Sequence, residues 1–221
     1  MSKVRIDIVS DVVCPWCIIG YKRLEQALTE LKAEHIEAEI HWHPFELNPA
    51  MKPEGQNLRE HISEKYGSNE QASRSARETL TELGQQVGFD FNFNDDTRIY
   101  NTRKAHQLLM WSQQEQRQSQ LEMALFEAYF TFGKDVSDES VLLEVAESVG
   151  IEKDIAAKVL HDESWAETVA STEQQWLEAG INAVPALIFN KKHLISGAQQ
   201  TPHLVQALRE VAALEQQENK D

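Results

Sequence analysis

The first 31 residues change their hydrophobic period once, and this change predicts a short strand followed by a helix. From Val4 to Ser10, apolar and polar residues alternate as far as Ile8, which is typical of a strand with one buried face. From Ile18 to Leu31, apolar residues recur every three or four positions, as in an amphipathic helix. The pattern therefore predicts a β-α unit with a short turn between its two elements.

A second group of short elements is predicted near the end of the chain. Pro185 lies within an apolar run, residues 183–189, and proline is accepted at the first residue of a strand. Residues 191–192 then mark a turn before another short strand, residues 193–197, so the pattern predicts a β-hairpin. A helical pattern from 201 to about 216 follows the hairpin.

The long interval between these two groups, residues 54–162, has a predominantly helical pattern of apolar residues. Gly88 and Gly133 are typical of helix ends, and residues 137–140 are typical of a helix start. The sequence therefore predicts a helical region between the first β-α unit and the hairpin.

The two cysteines of the chain, Cys14 and Cys17, lie two residues apart in the predicted turn between strand and helix. Cys14 would be close to the helix N-terminus, where the positive end of the helix dipole favours a thiolate. Pro15 suits the first turn, because its missing amide hydrogen would have had no partner inside the helix. Cys17, one turn further on, would face the same way as Cys14, so the spacing predicts a redox-active dithiol.

Three other interpretations of the cysteine pair have weaker support. A structural zinc site needs four ligands, and no second cysteine pair or paired-histidine spacing completes one, so we expect no metal. A disulfide that closes so small a loop would remove little entropy from the unfolded chain. Two inert buried thiols are the third alternative, but Pro15, Trp16 and the strand-to-helix position favour exposed cysteines.

Composition and charge limit the class of protein further. The chain has 221 residues, a net charge of -15 and 41% hydrophobic residues, enough for a packed core. Clustered Lys and Arg for phosphate binding are absent, so we expect no nucleic-acid partner. No apolar run is long enough to span a membrane, and no basic region followed by an apolar segment precedes the first strand. We therefore expect no membrane partner and a cytoplasmic location.

Taken together, these motifs resemble the thioredoxin superfamily, and within it the FrnE-like branch of the DsbA family. The branch is similar to 2-hydroxychromene-2-carboxylate isomerases and kappa-class glutathione transferases. Besides Cys-Pro-Trp-Cys, the match rests on Trp-His-Pro-Phe-Glu-Leu-Asn-Pro at 42–49, Asn-Thr-Arg-Lys-Ala-His at 101–106 and Gly-Ile-Asn-Ala-Val-Pro at 180–185. The isomerase and transferase relatives have a serine at the position of Cys14, so the present chain departs from them toward thiol-disulfide exchange.

The resemblance implies an α/β protein with a thioredoxin fold and an inserted all-helical domain. Its expected boundaries are 1–53 and 163–221 for the thioredoxin-like domain and 54–162 for the insertion. It also implies that Pro185 is a cis proline against the dithiol and that the backbone of Val184 pairs with an extended substrate. Four residues are implied to bind substrate, namely Phe45, Asn48, Asn101 and His106.

The predicted function is that of a thiol-disulfide oxidoreductase. Cys14 would form a mixed disulfide with the substrate, Cys17 would resolve it, and Pro15 and Trp16 would shape the site. No cofactor is expected beyond the redox-active disulfide, and the partner would be a thiol or disulfide in a protein, a peptide or glutathione, with glutathione as a candidate co-substrate. Two alternatives stay open: a glutathione-dependent transferase or isomerase of small aromatic molecules, and a redox-sensitive, non-catalytic binding protein or chaperone. The sequence leaves the oligomeric state open.

Overall fold

The computed structural model describes residues 2–218. Along the chain its elements are β1 (Ser2–Ser10), α1 (Pro15–Leu31), β2 (Ile36–Pro44), β3 (Gln56–Asn57), α2 (Leu58–Tyr66), α3 (Glu70–Val87), β4 (Arg98–Ile99), α4 (Arg103–Ser112), α5 (Gln118–Phe126), α6 (Glu139–Ser148), α7 (Lys153–His161), α8 (Glu163–Glu178), β5 (Ala186–Phe189), β6 (His193–Ser196) and α9 (Thr201–Glu218). A short 3-10 helix (Lys32–Glu34) follows α1, and a π-helix (Glu127–Thr131) follows α5. No helix within 2–218 combines the length and the apolar character needed to cross a membrane.

Four strands form the central sheet, in the order β2-β1-β5-β6. The β1 and β2 strands are parallel, whereas β5 is antiparallel to β1 and β6 is antiparallel to β5. On one face, Val4, Ile6 and Ile8 are fully buried in the core that α1 and α9 also enter. The predicted first strand, first helix, hairpin and final helix are therefore confirmed, as is the thioredoxin fold.

The predicted insertion, residues 54–162, lies between β2 and β5, and its helical character is confirmed. Gly88 ends α3 with a positive φ of 73°, and Gly133 follows the π-helix with a φ of 63°. At the start of α6, the Asp138 side chain accepts a hydrogen bond from the Val141 backbone N–H at 3.2 Å. These helix ends lie where the sequence predicted them. The small sheet of β3 and β4 was not predicted, because strands of two residues leave no periodic pattern.

The insertion contacts the sheet at the outer edge of β2. The Gln118 side chain accepts from the Trp42 backbone N–H and donates to the Trp42 carbonyl, both at 2.9 Å. The Trp42 indole donates to Ser119 and packs against Tyr21 of α1. A side-chain amide thus fills the place that a neighbouring strand would take on this edge.

Candidate active site

The two cysteines lie at the start of α1, directly after the C-terminal end of β1. Cys14 is the N-cap residue and Pro15 is the first helical residue. The Cys14 backbone N–H donates to the Asp11 carbonyl at 2.9 Å, and the Cys17 N–H donates to the Cys14 carbonyl at 3.1 Å. Both cysteines are free thiols. The sequence placed both residues at this strand-to-helix junction, as the structure does.

The expectation that the cysteines are exposed is wrong. Cys14 is 4% exposed and Cys17 is 1% exposed, whereas Trp16 between them is 43% exposed. The Cys14 sulfur lies 3.9 Å from the Val184 carbonyl oxygen, so the chain before β5 covers it. Cys17 points into the core because it begins the buried face of α1. Access to the dithiol is therefore narrow, with Trp16 as its exposed neighbour.

The Val184-Pro185 segment lies against the first turn of α1. Its peptide bond is cis, and the Val184 carbonyl faces the Cys14 sulfur. Gly20 of α1 allows this close approach, since a Cβ at Gly20 would lie 3.3 Å from the Pro185 Cγ. On the other side of the segment, Gly197 donates to the Pro185 carbonyl at 2.8 Å, which joins it to the loop after β6.

A buried carboxylic acid from the insertion, Glu122, contacts Ser10 at the end of β1. The Ser10 hydroxyl at the end of β1 donates to Glu122 Oε1 of α5 at 3.0 Å. Burial raises the pKa of Glu122 to about 7, although His106 and Ser10 act in the opposite direction. Burial, together with the Cys14 thiol, raises the pKa of Cys17 well above its ordinary value, while the Asp11 backbone and the Ser10 hydroxyl oppose this rise. Ser10 therefore lies between the two buried groups.

A second buried acid, Asp11, organises the loop between β1 and α1. Its carboxylate accepts from the Leu47 backbone N–H at 2.7 Å, and His106 Nε2 lies 3.5 Å from its other oxygen. Burial alone would lower the pKa of His106, but Asp11, with help from Glu122 and Glu46, raises it above its ordinary value. At 3.5 Å, the contact between His106 and Asp11 is electrostatic rather than a short hydrogen bond.

The four residues implied to bind substrate lie in different surroundings. His106 is buried beside Asp11, and Phe45 is buried with Val9, Ile181, Ala186 and Ile188 on the sheet face opposite α1.

Asn48 accepts from Lys65 at 2.8 Å on the rim of an open cavity of about 650 Å³. Asn101 donates to the Pro49 carbonyl at 3.3 Å. Asn101 thus contacts the loop that carries Asn48, whereas His106 and Phe45 are buried. Substrate binding by all four stays a prediction.

The sequence analysis did not single out Ser10, Asp11 or Glu122. One signal was present for Glu122, because Gln118, Leu121, Glu122 and Leu125 have the spacing of one buried helix face. A charged residue within such a face indicates either a partner or a perturbed pKa. Within residues 2–218, no three His, Cys, Asp or Glu side chains are placed to hold a metal ion.

Comparison with known proteins identifies similar chains. The family model described as DSBA-like thioredoxin domain matches residues 5–209. A crystal structure of a probable DsbA oxidoreductase from Streptomyces coelicolor is 26% identical with a TM-score of 0.85, over 94% of this chain and 89% of that one.

Two further structures share the fold at lower identity. A 2-hydroxychromene-2-carboxylate isomerase is 15% identical with a TM-score of 0.67, and 98% of each chain is covered. The cytosolic disulfide reductase DsbM from Pseudomonas aeruginosa, solved with GSH, is 13% identical with a TM-score of 0.60, over 98% of this chain and 100% of that one. The common architecture extends over nearly the whole length of the three solved chains.

Proposed function

Because the chain belongs to the DSBA-like thioredoxin domain family, we propose that it is a thiol-disulfide oxidoreductase that reacts through Cys14 and Cys17. One observation carries the proposal: the two cysteines of the sequence lie one helical turn apart at the N-terminus of α1. An anionic sulfur at the N-cap is stabilised by the unpaired amides and the dipole of the helix. Cys14 is therefore the nucleophile, and the buried Cys17 is the resolving thiol.

The reaction consists of two exchanges. The Cys14 thiolate attacks one sulfur of a substrate disulfide, so that a Cys14-substrate S–S bond forms, the substrate S–S bond breaks and one substrate thiolate leaves. The Cys17 thiolate then attacks the Cys14 sulfur, which releases the second substrate thiolate. The protein dithiol is oxidised to a disulfide, the substrate disulfide is reduced to two thiols, and the two enzyme protons end on those thiols or in solvent. The reverse sequence oxidises a substrate dithiol.

Ser10 and Glu122 supply a route for the Cys17 proton. Burial raises the pKa of Cys17, so its thiolate forms only if a nearby group accepts the proton. Glu122, with a pKa of about 7, is ionised in part of the population at neutral pH and is hydrogen-bonded to Ser10. The Ser10 hydroxyl takes the thiol proton as its own proton passes to Glu122, and the reverse exchange occurs when Cys17 is released.

Glutathione is the thiol that we propose as co-substrate. The cytosolic disulfide reductase DsbM, a structural neighbour of this chain, was solved with GSH. We propose a cytoplasmic location for this chain as well, where glutathione is the abundant thiol. Fractionation of cells that express the untruncated protein tests the location, and a periplasmic or secreted pool would contradict it.

The reduction potential of the cysteine pair tests the proposal directly. We expect a reversible two-electron couple when the protein is equilibrated in glutathione redox buffers and its free thiols are alkylated. The Cys14→Ser variant is expected to lose this couple. In the Cys17→Ser variant, we expect a mixed disulfide between Cys14 and the substrate thiol to accumulate, visible as a mass increase that a reductant removes.

Two outcomes would contradict oxidoreductase function. If Cys14 and Cys17 never form a disulfide with each other, dithiol exchange is excluded and glutathione-dependent isomerase or transferase chemistry becomes the better explanation. If the variant lacking both cysteines keeps the biological activity of the protein, the dithiol is not catalytic and a binding or chaperone role is favoured.

A further inference from the structure

The N-terminus of α4 carries two cations, against the preference of the helix dipole. Arg103 and Lys104 are its first two residues, its first turn holds no acidic residue, and the Thr102 side chain makes no capping hydrogen bond. An acidic residue lies in the first turn of α2, α3, α6, α7 and α8, whereas α1, α5 and α9, like α4, have none there. Cations at a helix N-terminus reduce the stability of the helix. Lys104 pairs with Glu139 at 3.5 Å, and Arg103 pairs with the buried Glu46 at 2.6 Å, so each cation has one acidic partner.

The Arg103 guanidinium is held by one of its edges. Its Nε donates to Glu46 Oε1 at 2.6 Å, and the Glu46 side chain is 1% exposed. The Asn101 side chain accepts from the Arg103 backbone N–H at 3.0 Å. The Arg103 side chain is 35% exposed, and among residues 2–218 no acceptor hydrogen-bonds its two terminal nitrogens. The guanidinium is therefore fixed in orientation by Glu46, with its outer edge available for a second acceptor.

Two series of residue contacts connect Arg103 with the loop that carries Cys14. Along α4, Arg103 and His106 lie three residues apart on one face, about 5 Å along the helix axis. His106 contacts Asp11, whose carbonyl binds the Cys14 backbone N–H. The second series begins at Glu46, the partner of Arg103. The next residue, Leu47, donates its backbone N–H to the Asp11 carboxylate. Arg103 thus lies one helical turn from His106, which contacts the loop that carries Cys14.

We infer that Arg103 binds a carboxylate of the substrate, so that disulfides with a carboxylate close to the reacting sulfur are preferred. The inference rests on the proposed function, because it names the substrate class of the same dithiol. A planar guanidinium with a free edge matches a carboxylate through two parallel hydrogen bonds. On a chain with a net charge of -15, such a group gives an approaching anion a local attractive contact.

The test compares two reagents in single turnover with the reduced protein. Dithiobis(nitrobenzoate) carries a carboxylate on each ring, whereas dithiodipyridine is uncharged at neutral pH, and the product of each is followed by its absorbance. We expect Arg103→Gln to lower the second-order rate constant for dithiobis(nitrobenzoate) about tenfold, as for the loss of a charged hydrogen bond, and to leave that for dithiodipyridine unchanged. Arg103→Lys keeps the charge without the planar fork, so it is expected to recover part of the loss.

The control is Arg209→Gln on α9. It changes the net charge by the same amount, at an exposed ion pair between Arg209 and Glu34. It is expected to leave both rate constants unchanged. Loss of Arg103 leaves Glu46 buried without its cation, so the double variant Glu46→Gln/Arg103→Gln is measured as well and is expected to show the same selective loss. A second pair of substrates, disulfide-linked peptides with Glu or with Gln beside the cysteine, distinguishes a peptide carboxylate from that of a small molecule. In either pair, a loss in Arg103→Gln that is confined to the substrate with the carboxylate supports the inference.

The inference is overturned if Arg103→Gln slows both reagents of each pair equally, or slows neither. A failure of the proposed function gives a different result: the unaltered protein would react with no disulfide, or Cys14→Ser would react as fast. The two failures are therefore distinguishable in the same assay.

Discussion

Cys17 and Glu122 both hold their protons more tightly than in water, because burial penalises the thiolate and the carboxylate alike. The Ser10 hydroxyl can donate only one proton, so its bond to Glu122 depends on which of the two neighbours is ionised. At the residue scale, the proposed reaction therefore depends on the identity of three side chains for the loss of the Cys17 proton.

Another residue-scale feature is the turn between β5 and β6, where Asn190 and Lys191 have φ values of 49° and 58°. Asparagine tolerates this left-handed conformation because its short polar side chain can hydrogen-bond locally, whereas the lysine at 191 is strained in it. We predict that Lys191→Gly raises the free energy of unfolding by about 1 kcal/mol, measured in urea. Lys191→Gln removes the same charge but keeps the Cβ. An equal increase in the free energy of unfolding of Lys191→Gln would contradict backbone strain as the cause.

At the scale of elements, the insertion and the sheet are joined by hydrogen bonds at the edge of β2. Gln118 of α5 binds both polar groups of the Trp42 backbone and also the Leu109 carbonyl at 3.1 Å. All of these atoms are buried, so each needs a partner inside the protein. One side chain therefore satisfies an exposed strand edge and at the same time fixes where α5, and with it Glu122, lies.

We predict that Gln118→Ala lowers the free energy of unfolding by about 3 kcal/mol, because it leaves several buried backbone groups without a partner. Urea unfolding measures the change. Gln120→Ala is the matched control, since Gln120 is an exposed glutamine on the same helix, and it is expected to have little effect. Equal stabilities of the two variants would show that Gln118 does not hold the edge of β2.

At the scale of the whole molecule, the ionisation of Glu122 makes the stability of the fold depend on pH. The pKa of Glu122 is about 7 in the folded protein and has an ordinary value of 4.5. Between these values the folded protein holds a proton that the unfolded chain has lost. The contribution of Glu122 to stability is therefore present below 4.5 and falls as the pH rises to about 7, by up to about 3 kcal/mol.

We predict that Glu122→Gln reduces this pH dependence, because glutamine does not titrate. The free energy of unfolding in urea, compared between acidic and mildly alkaline buffer, should fall less for the variant than for the unaltered protein. Glu127→Gln, an exposed position just after α5, should keep the full dependence. A decrease in Glu122→Gln as large as in the unaltered protein would mean that another group is responsible.

The elements near the dithiol could be predicted because their signals are local. Strand alternation before Ser10, helical spacing after Cys17 and the apolar runs around residues 191–192 each involve neighbouring residues. The burial of Cys14 could not be predicted in this way. It depends on Val184, which is 170 residues further along the chain.

The sequence by itself determined the β-α unit with its cysteine pair, the hairpin after Pro185 and a helical insertion, because periodicity and helix-end residues specify local structure. Only the tertiary structure placed Glu122 beside Ser10 and His106 beside Asp11, and left one edge of the Arg103 guanidinium unpaired. Such placements follow from how the insertion packs on the edge of β2. The free energy of that packing is spread over many distant contacts that leave no pattern within a short stretch of sequence.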